Sequence, residues 1–208
     1  MLISESITFT YDGSKEFYFP DIQLKKGESL LVLGDSGVGK TTFIHLLAGL
    51  LQPKLGHIKL NGTNYDNLSA KELDLFRGKH IGMIFQKPYF VRNLNILDNL
   101  LLSLYLSKNK QDTRSVIKFL EAIGLGNKLN RKPDTLSQGE QQRASIALAV
   151  IKKPNLILAD EPTSSLDDDN CEKTISLLKE QAALTKSQLI IITHDNRLKR
   201  QFNKSITL

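Results

Sequence analysis

Cysteine is nearly absent: Cys171 stands alone among 208 residues. A lone thiol excludes an internal disulfide and fits a reducing compartment. It lies just after the acidic run Asp167, Asp168, Asp169 and reads as a packing residue. Long apolar runs are missing too. A bilayer span needs roughly 20 predominantly apolar residues. The longest candidate, Asn93 to Leu106, is interrupted by Asn95, Asp98, Asn99 and Ser103. The opening residues MLISESITFT lack a basic flank followed by an apolar stretch, which argues against a secretory leader. Any membrane role is therefore expected to come through a partner. No internal repeat, low-complexity linker or sustained heptad pattern interrupts the chain.

What is present is an ordinary globular mix, 40% hydrophobic and 24% charged. The length suits a single domain with a sizeable core, expected to span 1–208. The formal net charge of +6 suits an anionic partner without choosing among nucleotide, acidic membrane and nucleic acid.

Hydrophobic spacing sets out the elements. Ile3, Ile7 and Phe9, then Phe17 and Phe19, read as short strands around a turn at Tyr11-Asp12-Gly13. Residues 29–33, 156–159 and 189–192 are continuous apolar runs, as in strands buried on both faces. Ile58 with Leu60, and Ile81 to Phe85, add further strands. Helical spacing predicts helices over 41–51, 137–151 and 173–184. Leu97, Leu100, Leu101 and Leu104, then Val116, Ile117, Leu120 and Ile123, mark a helical insertion of roughly 90–150. Alternating buried strands and helices argue for an α/β domain with a mainly parallel sheet.

Gly34-Asp35-Ser36-Gly37-Val38-Gly39-Lys40-Thr41 fits G-x-x-x-x-G-K-[ST] without mismatch, between a strand and a helix. Glycines let backbone N–H groups turn inward around phosphate oxygens, and the helix N-terminus adds unpaired donors. Lys40 is expected to reach the β- and γ-phosphates, Thr41 to hold Mg²⁺, and Thr42 to donate to the α-phosphate. A second apolar strand ends in Asp160, placed to meet the metal, and Glu161, placed to orient or deprotonate an attacking water. Pro162 fixes the chain as it leaves. The strand 189–192 runs into Thr193-His194-Asp195, so His194 is expected at the same edge, bonding the γ-phosphate and holding Glu161.

Leu136-Ser137-Gln138-Gly139-Glu140, followed by Gln141-Gln142-Arg143, resembles the signature sequence of ABC ATPases. The order of motifs is similar throughout: phosphate loop, Gln86, helical segment, signature, Asp160-Glu161, Ser165-Leu166-Asp167, His194. The resemblance implies the fold of that family: a P-loop core, an N-terminal antiparallel β subdomain and a helical insertion. It implies ATP and Mg²⁺, hydrolysis, and a head-to-tail dimer in which Ser137, Gly139 and Glu140 serve the partner's nucleotide. Ser137-x-x-Glu140 is also a capping box that opens a helix toward an anion. By the same resemblance Tyr11 stacks on adenine, Gln86 touches Mg²⁺ and water, and Asp167 belongs to the loop linking the two sites. One departure stands out: Gln138 replaces the first glycine of the commonest signature and Glu140 its glutamine, which bears on the hydrolysis rate.

Length and scattered positions from Leu60 to Gln86 resemble the small ATPases of lipoprotein release, macrolide-type export and cell-division signalling. That branch implies a separate membrane permease as partner, with the ATPase peripheral on the cytoplasmic face. The rivals are a DNA-maintenance or translation ATPase, a signalling ATPase that moves no solute, and a module that holds ATP without turning it over. Nucleic-acid binding is not expected, because the DNA enzymes carry long coiled coils between phosphate loop and signature and the translation type carries two heads.

Overall fold

Three continuous apolar strands need cover on both faces, and the fold provides it. The computed structural model describes residues 1–13, 15–164 and 166–208; Ser165 of the predicted 165–167 motif lies outside them. An antiparallel sheet comes first: β1 (Leu2–Phe9) pairs with β2 (Phe17–Tyr18) and β3 (Ile22–Leu24). Next in sequence are β4 (Ser29–Leu33) and helix α1 (Lys40–Leu47). Then β5 (Leu55–Leu60) and β6 (Thr63–Asn64) complete the antiparallel sheet. Helix α2 (Ala70–His80) leads into β7 (Ile81–Ile84). Helices α3 (Ile96–Leu106), α4 (Thr113–Ala122) and α5 (Gln138–Val150) follow. The chain closes with β8 (Leu156–Asp160), α6 (Asp168–Thr185), β9 (Gln188–Thr193) and β10 (Ser205–Thr207). The second sheet is parallel, in the order β10-β4-β9-β8-β7.

Successive side chains of a strand point to opposite faces, and the core divides accordingly. Leu30, Val32, Leu156, Leu158, Ile190 and Ile192 face α1 and the antiparallel sheet. Leu31, Leu33, Ile157, Ala159, Leu189 and Ile191 face α5 and α6. Helix α1 is packed between the sheets, with Phe43, Ile44, Leu46 and Leu47 fully buried. The inserted helices keep a core of their own, built on Ile96, Leu100, Leu104, Val116 and Leu120 and closed by Ala144 and Ala147 of α5. Among the described residues no helix is long and apolar enough to cross a membrane.

Several boundaries differ from the sequence expectation, each for a local reason. The helix expected to reach residue 51 stops at Leu47. Gly49, at φ 67°, ends it with Gly49 N–H on Leu46 O and Leu50 N–H on His45 O, the Schellman arrangement. The helix expected from 173 starts at Asp168, because Asp167 caps it by accepting from Asn170 N–H at 2.8 Å. Helix α2 was not anticipated, although Ser69 and Glu72 form a reciprocal capping box. The two-residue alternation in β1 breaks at a bulge between Glu5 and Thr8, where Ser6 takes φ 52°.

Strand β7 and α5 meet closely. A Cβ on Gly82 would stand 2.5 Å from the Ala149 carbonyl oxygen. That oxygen belongs to a helix backbone and cannot rotate away. Gly82→Ala is expected to destabilise the chain by about 1–3 kcal/mol, as overpacking does, read as a lower midpoint in urea unfolding; an unchanged midpoint would show that the two elements can separate at no cost.

Candidate functional site

In a parallel sheet all strand C-termini lie along one edge. Here the ladder sets Leu33 beside Thr193, Asp160 beside Ile192 and Ile84 beside Ala159. The loop 34–39, the pair Asp160-Glu161, Thr193-His194 and the segment bearing Gln86 therefore leave the sheet side by side, where α/β folds place their ligands.

The loop 34–39 wraps toward α1. Gly37 takes φ 84° and Gly39, the residue before α1, φ 105°. A Cβ on Gly39 would stand 2.8 Å from the Phe17 ring, so glycine is needed there on both counts. Ser36 and Val38 complete the turn, with Val38 Cγ2 lying against Gly34. Lys40 is buried, and its ammonium donates to the carbonyls of Gly34 and Asp35, both at 2.8 Å. These are neutral acceptors, so a phosphate oxygen competes with them favourably. Lys40 Nζ is also 3.8 Å from Glu161 Oε1.

Glu161 is the most constrained residue of the edge. It is 9% exposed and carries φ 47°, a left-handed conformation that a non-glycine residue adopts at a cost. Its amide donates to Ile192 O at 2.8 Å, tying the turn to β9. Oε2 accepts from the Thr193 hydroxyl at 2.9 Å, and Oε1 accepts from the His194 amide at 3.1 Å. His194 Nδ1 lies 2.8 Å from Oε1, a donor when that nitrogen is protonated. His194 is exposed on its other side. Thr193 was not singled out from the sequence. The signal was available, since it is the last residue of an apolar strand and adjoins His194.

Asp160 is 5% exposed, and its Oδ1 has no hydrogen-bond partner. Burial pushes its carboxyl up from the usual range and the neighbouring Glu161 charge adds to this; the Thr41 hydroxyl and Lys40 pull the other way. A buried, unpartnered carboxylate oxygen beside a hydroxyl is the donor set a small hard cation requires, so these residues fit Mg²⁺. Gln86 is exposed, two residues beyond the end of β7.

Tyr11 is 65% exposed. Its ring meets Phe9 edge-on at 4.8 Å, and its hydroxyl is 2.9 Å from Thr42 Oγ1. The structure thus brings these two site residues into contact. Ser137, Gly139 and Glu140 open α5. Ser137 Oγ accepts from Glu140 N–H at 3.4 Å, and Glu140 Oε2 accepts from Ser137 N–H at 2.8 Å. The cap leaves Ser137 and Gln138 exposed at the helix N-terminus. Asp167 is held by Asn170 as the cap of α6. Cys171 is buried in the core, as a packing residue would be.

The family model described as ABC transporter matches residues 20–164. The chain belongs to the ABC transporter family. It is 40% identical over 192 residues to the lipoprotein-releasing system ATP-binding protein LolD of Buchnera aphidicola, covering 91% of this chain and 83% of that protein. It is 33% identical over 208 residues to LolD of Bacteroides fragilis, covering 99% and 96%. A solved dimeric structure of the ATP-binding cassette MJ0796, in a post-hydrolysis state bound to ADP and Pi, superposes with a TM-score of 0.87 at 30% identity, covering 100% of this chain and 94% of that one. The ABC ATPase fold is thereby shown: an antiparallel N-terminal sheet joined to a parallel one.

Asp160 makes the edge costly to fold. Above the ordinary carboxylate range, its ionisation in the folded state is penalised by burial. Below that range both folded and unfolded states carry the proton, and the penalty vanishes. Asp160→Asn is expected to stabilise the ligand-free protein at neutral pH by about 1 kcal/mol. The gain should shrink as pH falls from the raised value of Asp160 toward the ordinary carboxylate range, and vanish below it. Thermal melts at several pH values check this; a variant less stable than the parent at pH 7 would contradict it.

Proposed function

We propose that this chain is the ATP-binding and ATP-hydrolysing subunit of an ABC transporter-type complex and drives a separate membrane permease, as its likeness to LolD suggests. The observation that carries the reading is Glu161, fixed by Thr193 and His194 at the edge where the phosphate loop also ends. In this reading 1–208 acts as one ATPase domain, with the helical part at roughly 90–150 inserted in it.

The roles follow from chemistry. Backbone amides of residues 34–39 receive the phosphates, and Lys40 neutralises charge on the transferring phosphoryl group. Thr42 donates to the α-phosphate, and Tyr11 places its ring against the base. Thr41, Asp160 and Gln86 hold Mg²⁺, which when bound neutralises phosphate charge. Glu161 accepts a proton from the attacking water, and His194 keeps that carboxylate aimed while contacting the γ-phosphate. The exposed N-terminus of α5 serves a nucleotide held on a second copy, head to tail, with Asp167 beside the junction; the dimeric state of the MJ0796 cassette supports this. Glu140 acts there through Ser137 rather than by direct contact, since both of its oxygens are engaged within the chain. Nucleic acid has no part in the reading.

For the permease, support comes from an apolar groove between the segment after Gln86 and the inserted helices. Tyr89, Val91 and Leu106 are exposed along it. At its end stands Lys152, whose pKa burial and the charge of Arg77 push down to about 8. An apolar partner segment carrying an acid suits this surface, and such docking places the protein peripherally on the inner face of the membrane. Leu106→Arg is expected to abolish co-purification with the permease while leaving nucleotide binding intact; undiminished co-purification would remove the groove from the interface.

The catalytic reading is tested at two positions. Lys40→Ala is expected to lose nucleotide binding. Glu161→Gln is expected to retain binding, lose about 10²–10⁴-fold in hydrolysis, and accumulate as a dimer in ATP. Phosphate release and light scattering measure both; hydrolysis at the parent rate in Glu161→Gln would rule out the base assignment.

A further inference from the structure

The N-terminus of α5 is held from outside its own motif. Lys128 Nζ lies 3.2 Å from Glu140 Oε1, while Glu140 Oε2 accepts the Ser137 amide at 2.8 Å. One carboxylate thus spans Lys128 and the backbone of Ser137. Ser137 Oγ accepts from Glu140 N–H, and its hydroxyl also hydrogen-bonds the Glu140 carboxylate, so the same acid orients both ends of the Ser137 side chain. The hydrogen bonds from the Ser137 amide and Lys128 hold the Glu140 carboxyl below its usual range.

Lys128 is itself fixed by the backbone. Its amide donates to Leu125 O at 2.9 Å, and its carbonyl accepts from Arg131 N–H at 2.9 Å. The residues that follow are tied to the start of α3: Leu97 N–H donates to Leu129 O at 3.1 Å and Ile96 N–H to Arg131 O at 3.0 Å. Helix α3 begins at Ile96, just after the segment that carries Gln86 and the groove. A continuous set of bonds therefore joins that segment to Ser137.

We propose that Lys128 is a positioning residue of the composite ATP site: through Glu140 it holds Ser137 in the orientation that meets the nucleotide of the second copy. The proposal rests on the head-to-tail reading above. Lys128 touches no substrate and leaves the phosphate loop of its own chain unaffected. The dimer contains this ion pair twice, so its loss weakens ATP-dependent association by about 2- to 30-fold.

The test uses the full chain in the Glu161→Gln background, with light scattering across an ATP titration in the presence of Mg²⁺. Lys128→Met and Glu140→Gln are each expected to shift dimerisation to higher ATP by that factor. Glu140→Gln keeps an oxygen for the Ser137 amide and loses the charge. Lys128→Arg is expected to restore the parent curve, and the two loss variants combined to do no more harm than either alone. Fluorescent-nucleotide binding to the monomer is expected to stay at the parent value, which a general structural defect would not allow. Additive effects, parent-like dimerisation by Lys128→Met and Glu140→Gln, or weakened monomer binding would each overturn the positioning role. If Glu161→Gln alone never dimerises in ATP, the two-copy site itself fails, which separates that failure from this one.

Discussion

The parallel ladder between β4, β9 and β8 is the constraint from which the site follows. Glu161 lies in one loop and its holders Thr193 and His194 in another, and 33 residues separate Glu161 from His194. They meet because Asp160 and Ile192 are ladder neighbours and the Glu161 amide continues the pairing onto Ile192 O. Slipping that ladder by one residue would turn every side chain of a strand to the opposite face. Both faces are fully covered, so the slip would bring the same apolar side chains into differently shaped cores. The register is thus protected by packing density on two sides.

That rigidity supports local features that would otherwise be unfavourable. Glu161 takes a left-handed backbone, and Asp160 keeps an unpartnered buried oxygen. Each costs on the order of 1–3 kcal/mol. They adjoin one another at the point where a hydrated cation and a phosphate chain are proposed to bind. Left-handed backbone also occurs at Ser6, Asn61, Lys108, Lys153 and Lys186; what suits a ligand site here is its direct adjacency to an unpartnered buried carboxylate oxygen. Binding a cation there would relieve the charge on Asp160 and would couple folding to ligand binding through this residue.

The other half of the proposed reaction centre is organised differently. The start of α5 relies on a side-chain cap and an ion pair, not on a sheet. Its donors are exposed and its anchor, Lys128, comes from a short turn attached to α3. The inserted helices have a core of their own, which α5 closes with Ala144 and Ala147 while its Ile146, Ala149 and Val150 pack against the parallel sheet. Helix α5 therefore joins the edge proposed to hold the phosphates to the inserted helices, with Gln86 and the apolar groove between the end of β7 and α3.

The sequence by itself determined the elements that carry local signals. Continuous apolar runs marked β4, β8 and β9 as doubly covered strands, and the glycines of 34–39 marked the phosphate loop, because solvent exclusion and left-handed φ restrict which residues can stand there. Ser137 and Glu140 marked a helix start in the same way. Where such signals were passed over, as with Ser69 and Glu72 before α2 or Gly49 after α1, the boundary was missed although the residues announced it. Tertiary structure alone decided the rest. Strand order sets which loops become neighbours, and no local pattern encodes it. Thr193 became a partner of Glu161, Tyr11 a partner of Thr42, and Lys128 a partner of Glu140 only through pairings between distant segments. Strand β10 gave no signal of its own, since three residues acquire a strand's conformation only when an existing edge such as β4 is there to bond them.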